Sequence, residues 1–174
     1  TASVGHPKRP RTKGFEEWTE NDAEAFEKRW PLGTKERVWY SVIAYTGLRR
    51  SDAVRVGRQH VRNNLITITP KKTEAEGTEV TIPLLPVLAE ALAAGPTGDL
   101  CWVVGEKGQP LAKESFGNLF RVACNEAGVR KSAHGLRKLG ATRHADAGAT
   151  EREQQATEAE AEEERPRAPE VEPE

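Results

Sequence analysis

This sequence of 174 residues has no methionine, two cysteines and few aromatic residues: four Trp, four Phe and two Tyr. Cys101 and Cys124 have no neighbouring Cys or His at metal-ligand spacing, so neither a disulfide framework nor a zinc site is indicated. No apolar run approaches the ~18 residues that cross a bilayer, and no signal peptide is present, so we expect a cytoplasmic protein without a membrane partner. Because the chain opens on Thr1, we expect its translation start to be processed away or to lie upstream.

The near-neutral net charge of −1 hides an uneven distribution. Residues 1–150 carry a net charge of +6, whereas residues 151–174 carry −7. A basic body suits a polyanionic partner, although a solvated surface explains the same excess equally well. The low hydrophobic content of 36% reflects the acidic C-terminal segment.

The composition divides the chain into three parts. Residues 1–14 (TASVGHPKRPRTKG) predict an extended basic arm or an ordinary interdomain linker. Residues 15–150 are long enough for one domain with a core. Residues 151–174 contain one large apolar side chain, Val171, and cannot bury enough surface to offset the ordering entropy, so we expect them to be disordered.

Apolar periodicity predicts several helices in the middle part. The second of them runs from Thr34 through Tyr45, is apolar on most sides and ends at Gly47, which suits a central core helix. The other predicted helices begin at Thr19, at Ser51 or Asp52, at Pro86, at Glu114 and near His134, the last continuing to Gly148.

Two segments, residues 65–69 and 79–83, alternate in the strand period and predict an antiparallel β-hairpin around a turn at 73–77. Leu100–Val104 is interpreted as a third strand. The predicted fold class is therefore α+β, mainly helical, with a small antiparallel β-sheet or hairpin at one edge.

The stretch Ser132–Lys138 (SAHGLRK) places His134 and Arg137 three residues apart at the start of a helix, where they share a face and can converge on a phosphate. Arg49 follows the Gly47 cap, and Lys72 lies where the hairpin enters its turn. Read locally, Arg49 also fits a solvated arginine beside a cap, and Lys72 fits a lysine that protects an edge strand from aggregation.

Three segments resemble the catalytic domain of the tyrosine recombinases, the phage integrase family. They are Tyr45–Asp52 (YTGLRRSD), Pro70–Thr73 (PKKT) followed by Val80–Pro83 (VTIP), and Ala133–Lys138 (AHGLRK), in the family's order. Residues 14–30 and 113–117 also resemble integrases of bacterial mobile elements. The resemblance covers residues 1 to about 150.

The resemblance implies a site for the scissile phosphate of DNA. Arg49 and Arg137 match the two arginines that clamp its non-bridging oxygens, a task that suits a planar guanidinium. Lys72, with Lys71 as the alternative, matches the hairpin lysine that protonates the 5′-leaving oxygen. His134 matches the histidine that donates to the phosphate or exchanges a proton there.

Asp52 matches an acidic residue that orients the arginine or supports the histidine. No metal and no cofactor is implied. Further DNA contacts are expected from basic side chains on the arm and around the site: Lys8, Arg9, Arg11, Lys13, Arg50, Lys71 and Lys138.

The sequence departs from the family after Arg137, where a further His or Trp and then a nucleophilic Tyr are expected. The only tyrosines are Tyr40 and Tyr45, which belong to the predicted core helix, and His144 comes too early for the missing position. A frameshift, a truncation or a domesticated remnant would each produce this pattern. We also expect the core-binding domain that usually closes the DNA clamp to be missing before Thr1.

The sequence thus predicts a DNA-binding protein of the tyrosine recombinase type, for site-specific recombination and integration of a mobile element, that is inactive alone because it lacks the nucleophile. The alternatives are a non-catalytic DNA-binding regulator and a half-site partner complemented in trans by a Tyr-bearing protomer. The implied partners are double-stranded DNA and a second copy of the chain or a full-length recombinase. The acidic tail is a candidate DNA mimic that competes for the basic face.

Overall fold

The computed structural model of the chain describes residues 15–143 and 145. Within these residues the structure is mainly helical and carries one small antiparallel sheet, which confirms the predicted fold class. The helices are α1 (Glu20–Arg29), α2 (Lys35–Thr46), α3 (Arg50–Ala53), α4 (Pro86–Ala94), α5 (Lys113–Glu126) and α6 (helical over 133–143). The strands are β1 (Val61–Arg62), β2 (Leu65–Ile68) and β3 (Val80–Pro83), and 3₁₀ turns occupy Arg58–His60 and Lys71–Glu76.

Helix α2 is the central helix and is buried along most of its length. The Thr34 hydroxyl accepts a hydrogen bond from the backbone N–H of Arg37 and begins the helix. Gly47 ends it at φ 64°, a left-handed conformation that glycine adopts without steric cost. The predicted bounds of this helix are therefore confirmed.

Four aromatic side chains join the segment before α1 to helices α1, α2 and α5. Trp18, Phe26, Tyr40 and Phe120 form ring pairs whose centroids lie 5.2 to 6.2 Å apart, within the range of favourable aromatic contacts. The indole N–H of Trp18 donates to the carbonyl of Ser132 at 2.9 Å. The core therefore also fixes the chain just before α6.

The sheet has the order β1-β2-β3 with both pairs antiparallel. The predicted hairpin is confirmed, with Leu65 opposite Pro83 and Ile68 opposite Val80. Strand β1 was not predicted, and it joins β2 through Asn63 and Asn64, both at positive φ, where asparagine is tolerated.

The predicted third strand at Leu100–Val104 is wrong. Cys101 to Val104 are buried, yet the pairing recorded for them within the described residues is a single isolated bridge from Val104 to Pro110. Their backbone groups bond elsewhere, since Trp102 N–H donates to Val56 and the Val104 carbonyl accepts from the indole of Trp39. An apolar run enclosed on all sides does not need a ladder when such partners are available.

Two smaller expectations also change. Helix α3 is preceded by Arg49, not by Ser51 or Asp52, because the Arg49 carbonyl accepts the first helical bonds from Asp52 and Ala53 at 2.9 and 2.8 Å. The turn predicted at 73–77 belongs to the 3₁₀ turn Lys71–Glu76, which ends at Gly77 with φ 65°.

Several predictions fall on other parts of the chain. The basic arm at residues 1–14, the continuation of the last helix to Gly148 and the tail at residues 151–174 lie outside the described residues. In the part of the chain that the structure describes, no helix combines the length and apolar character needed to cross a membrane.

Candidate functional site

A cavity of about 280 Å³ opens between the α2–α3 junction and the start of α6. Four of its lining residues are arginines or lysines, and His134 also lines it with its imidazole. No carboxylate lines it among the described residues. The cationic lining residues are Arg49, Arg50, Lys113 and Arg137.

Arg49 is placed by the turn that ends α2. Gly47 turns the chain in a left-handed conformation, and Leu48, only 6% exposed, anchors the next residue in the core. Arg49 is then exposed and makes no side-chain cap bond to α3. Its backbone is therefore fixed while its guanidinium remains available to a ligand.

Arg137 is held against the same turn from the opposite side. Its Nε donates a hydrogen bond to the carbonyl oxygen of Gly47. This contact ties α6 to the turn that carries Arg49, and it leaves the two Nη groups of Arg137 for another acceptor. One glycine carbonyl thus sets the relative positions of the two arginines.

Two glycines of α6 allow that close approach. A Cβ on Gly140 would lie 2.2 Å from the carbonyl oxygen of Ala44 on α2, and a Cβ on Gly135 would lie 2.0 Å from that of Glu16. The segment before α1 therefore crosses directly over α6. Lys138 reinforces this crossing because its Nζ donates to the Phe15 carbonyl at 2.8 Å.

His134 is an exposed residue on the first turn of α6, and the ring of Phe15 covers one side of it at a centroid distance of 4.9 Å. The pKa of His134 is lowered from its ordinary value, first by desolvation and then by positive charge. Both causes favour the neutral imidazole until an anion arrives. The charges that act on it are those of Arg137, Lys138, Arg49 and Arg50.

Asp52 holds the hairpin loop through its buried carboxylate. Its carboxylate is 1% exposed and accepts a hydrogen bond from the backbone N–H of Lys71 at 2.8 Å, with Arg55 at 3.7 Å. This carboxylate therefore fastens the loop that carries Lys72 onto α3. Its predicted action on Arg49 or His134 stays a prediction.

The structure brings together three of the four predicted catalytic residues. Arg49, His134 and Arg137 line one cavity, whereas Lys72 is exposed on the loop and does not line this cavity. Of the predicted DNA contacts, Arg50 lines the cavity and Lys138 lies close enough to act on His134. The arm residues Lys8, Arg9, Arg11 and Lys13 lie outside the described part of the chain.

The two tyrosines occupy a different place. Tyr40 is fully buried and Tyr45 is half-buried, and their ring centroids lie 6.4 Å apart in an edge-to-face arrangement. Burial raises the pKa of both phenols, and Arg143 donates to the Tyr40 hydroxyl at 3.5 Å. Neither tyrosine lines the basic cavity.

Lys113 and Phe15 are among the lining residues that were not predicted as site residues. Lys113 begins α5, in a segment whose likeness to integrases was the available signal. Phe15 is 62% exposed and lines the cavity beside His134, and an isolated aromatic after a polar arm was its only mark in the sequence.

The site suits an oxyanion. Guanidinium groups offer paired N–H donors to phosphate oxygens, and the imidazole adds a donor that is protonated when negative charge approaches. Within residues 15–143 and 145, no group of three or more His, Cys, Asp or Glu side chains is placed to hold a metal ion.

No protein-family model matches the sequence, and no curated protein matches it either. Its fold, however, is similar to several solved structures. XerA recombinase aligns with a TM-score of 0.62 at 17% identity, over 81% of this chain and 53% of that protein. A lambda integrase dimer bound to a COC′ core site aligns at 0.60 and 18%, over 73% and 51%, and the integrase of mycobacterium phage Brujita at 0.58 and 23%, over 80% and 47%.

The chain spans about half the length of these three structures. The identities are low, so the likeness concerns the path of the backbone. The small three-stranded sheet and the helices around it follow the arrangement of these recombinases. The chain therefore has the fold of the tyrosine recombinase catalytic domain.

Proposed function

We propose that this chain binds double-stranded DNA and holds one backbone phosphate between Arg49, His134 and Arg137, as a protein of the tyrosine recombinase type. The context would be site-specific recombination and the integration of a mobile element. The observation that carries the proposal is the cavity in which two arginines and the histidine converge, with no carboxylate among its described lining residues.

The comparisons support DNA as the source of the phosphate. Lambda integrase in the matched structure is bound to a core site, and the Tn1549 transposon integrase, similar at a TM-score of 0.54 and 16% identity, is in complex with circular intermediate DNA. A site made of arginines binds the backbone of DNA by charge and by paired hydrogen bonds.

Lys72 completes the proposed site as the proton donor to the 5′-leaving oxygen. It lies on an exposed loop whose first backbone N–H is fastened to Asp52. Lys72 is exposed, and Thr73 beside it is partly buried. We infer that the loop carries Lys72 to the phosphate when DNA is bound.

The covalent step needs a tyrosine, and neither of the two tyrosines in the sequence lines the basic cavity. In that step a phenolic oxygen attacks phosphorus, the bond to the 5′ oxygen breaks, and that oxygen takes a proton. No tyrosine follows Tyr45 in the sequence, and Tyr40 and Tyr45 line another part of the fold. We infer that the chain alone binds DNA without forming a phosphotyrosyl bond.

Arg49→Ala tests the binding site. We expect it to lower the affinity for a short DNA duplex roughly tenfold at about 0.1 M salt and to reduce the salt dependence by about one phosphate contact. The measurement is fluorescence anisotropy over a range of salt concentrations. Arg58→Ala is the matched control, because Arg58 is exposed and does not line the basic cavity. Equal losses in both variants would contradict the site.

A nicked duplex that traps covalent intermediates tests the missing step. We expect no covalent DNA adduct with this chain alone, and an adduct would refute the inferred inactivity.

The alternative of catalysis in trans is favoured by the same absence of a suitably placed tyrosine. Mixing this chain with a Tyr-bearing recombinase that lacks its own phosphate-clamping arginine separates the two cases. Restored DNA cleavage would support complementation in trans. No cleavage, together with retained DNA binding, would support a non-catalytic regulator.

A further inference from the structure

A second cavity, of about 440 Å³, adjoins the first. The two cavities share Phe15, Arg50, Ala133 and His134, so the side chains of Arg50 and His134 belong to the wall between them. The second cavity extends from this wall along the exposed face of α5, where it is lined by Gly117, Asn118, Arg121 and Asn125. The opposite face of α5 is buried in the core, so this face is rigidly presented.

The second cavity is also positively charged, and no carboxylate lines it among the described residues. Lys131 is already paired with Asp22 at 2.7 Å. Nη2 of Arg121 donates to the amide oxygen of Asn118 at a long distance of 3.5 Å, and both Arg121 and Arg130 are exposed. Three guanidinium groups, of Arg50, Arg121 and Arg130, are therefore placed to receive an anion.

Gly117 leaves the space that the side chain of Arg50 occupies. A Cβ at position 117 would lie 2.0 Å from Nη1 of Arg50, so the guanidinium lies directly against the backbone of α5. Any larger residue at this position of the helix would push the Arg50 side chain out of the wall. The glycine thus lets one arginine serve both cavities.

The rest of the lining fits a nucleotide backbone. The amides of Asn118 and Asn125 offer neutral donors and acceptors. The exposed ring of Phe15 belongs to both cavities and offers an apolar surface between them, of the kind that a deoxyribose can contact.

We infer that the second cavity binds a second phosphate of the same DNA strand, next to the one held by Arg49, His134 and Arg137. Arg121 and Arg130 hold this phosphate, and Arg50 lies between the two. The inference rests on the proposed DNA binding and extends it to a two-phosphate footprint that runs from the α2–α3 junction onto α5.

The double variant Arg121→Ala/Arg130→Ala tests this footprint with a short mixed-sequence DNA duplex as the probe. Losing one phosphate contact lowers the salt slope of the binding constant by about 0.9 and weakens binding roughly tenfold at about 0.1 M salt. The matched control is Arg58→Ala/Lys107→Ala, which removes two exposed charges that line neither basic cavity. We expect the control to keep the wild-type slope.

Gly117→Ala provides a second, independent variant that removes no charge. The added methyl group displaces Arg50, so the affinity for the duplex falls to that of Arg50→Ala, while alanine within α5 maintains the helix. The double variant Arg50→Ala/Gly117→Ala binds no more weakly than Arg50→Ala alone, because the methyl group then has no guanidinium to displace.

The outcomes separate the inference from the function beneath it. If the wild type binds the duplex and Arg121→Ala/Arg130→Ala keeps its slope, the second phosphate site is overturned while DNA binding stands. If both double variants lose the same slope, the effect is one of diffuse charge and the cavity is again overturned. If the wild type does not bind DNA at all, both proposals are overturned.

Discussion

His134 is the residue whose ionisation the cavity controls most directly. Desolvation and the neighbouring cations lower the pKa of His134, so its imidazole is protonated less readily than that of an ordinary histidine. A bound phosphate adds negative charge beside it and raises the pKa again. The proposed binding of DNA is therefore expected to be coupled to the uptake of a proton as the pH falls through the ordinary range of histidine.

We predict that the affinity for a DNA duplex rises as the pH is lowered from about 8 to about 5.5, by up to tenfold per pH unit where one proton is taken up. His134→Gln should flatten this dependence. Anisotropy titrations at constant ionic strength measure it. His60→Gln is the control, since His60 accepts a bond from its own turn and lines neither basic cavity.

The stability of the fold depends on pH in the opposite direction to the binding affinity. The pKa of His134 is depressed in the folded protein, so the unfolded chain binds the proton more readily, and this residue lowers the free energy of unfolding as the pH falls below the ordinary pKa.

A pH dependence of binding that persists in His134→Gln would contradict the assignment of the proton to this imidazole.

The residues of the site differ in how far sequence could place them. His134 and Arg137 lie three apart on one helix, so their shared face followed from spacing alone. Arg49 followed from the Gly47 cap together with the resemblance. The partners of Asp52 and Arg137 did not, because the bonds to Lys71 and to Gly47 join segments far apart in the chain.

Among the elements, helices α2 and α6 define the site through an unusually close crossing. The Ala44 carbonyl lies where a Cβ on Gly140 would have to be, at 2.2 Å, and this neighbour is backbone that cannot turn away. A side chain at position 140 therefore forces the two helices apart. Because the Arg137 bond to Gly47 spans the same pair of elements, the separation also strains the site.

We predict that Gly140→Ala lowers the free energy of unfolding by roughly 1–3 kcal/mol, the usual cost of overpacking, in spite of the better helix propensity of alanine. Urea denaturation measures it. Gly117→Ala is the matched control, because there the added methyl group meets the far end of a flexible arginine. Equal stabilisation of both variants would show that the α2–α6 crossing yields easily.

The predictions of elements were right where the signal was local. The Thr34 and Gly47 caps gave the ends of α2, and the alternation in 65–69 and 79–83 gave the hairpin. The strand predicted at Leu100–Val104 was wrong because a buried loop and a buried strand have the same apolar composition. Strand β1 has only two residues and exists through pairing with β2, which no local pattern reveals.

Over the whole molecule, charge is separated along the chain, with +6 on residues 1–150 and −7 on residues 151–174. The basic cavities are the places where an acidic segment of the same chain would compete with DNA. We predict that deleting residues 151–174 tightens binding to a DNA duplex several-fold at low salt, with the gain disappearing as salt is added. Affinity measured at several ionic strengths tests this.

A second variant keeps all 174 residues and replaces the ten glutamates of residues 151–174 by glutamine. It separates the effect of the acidic charge from the effect of the length of the segment. It should bind as tightly as the deleted form if the acidic charge competes. Unchanged affinity in both forms would contradict competition by the tail.

The bond between the Asp52 carboxylate and the backbone N–H of Lys71 has a consequence for sequence variation. The hairpin loop is anchored by a main-chain group, which every amino acid except proline supplies. Related chains are thus free to vary the side chain at position 71 while keeping the loop in place. The side chain at position 71 can be changed without releasing the loop, whereas an acidic side chain at position 52 is required to keep the loop that carries Lys72 in place.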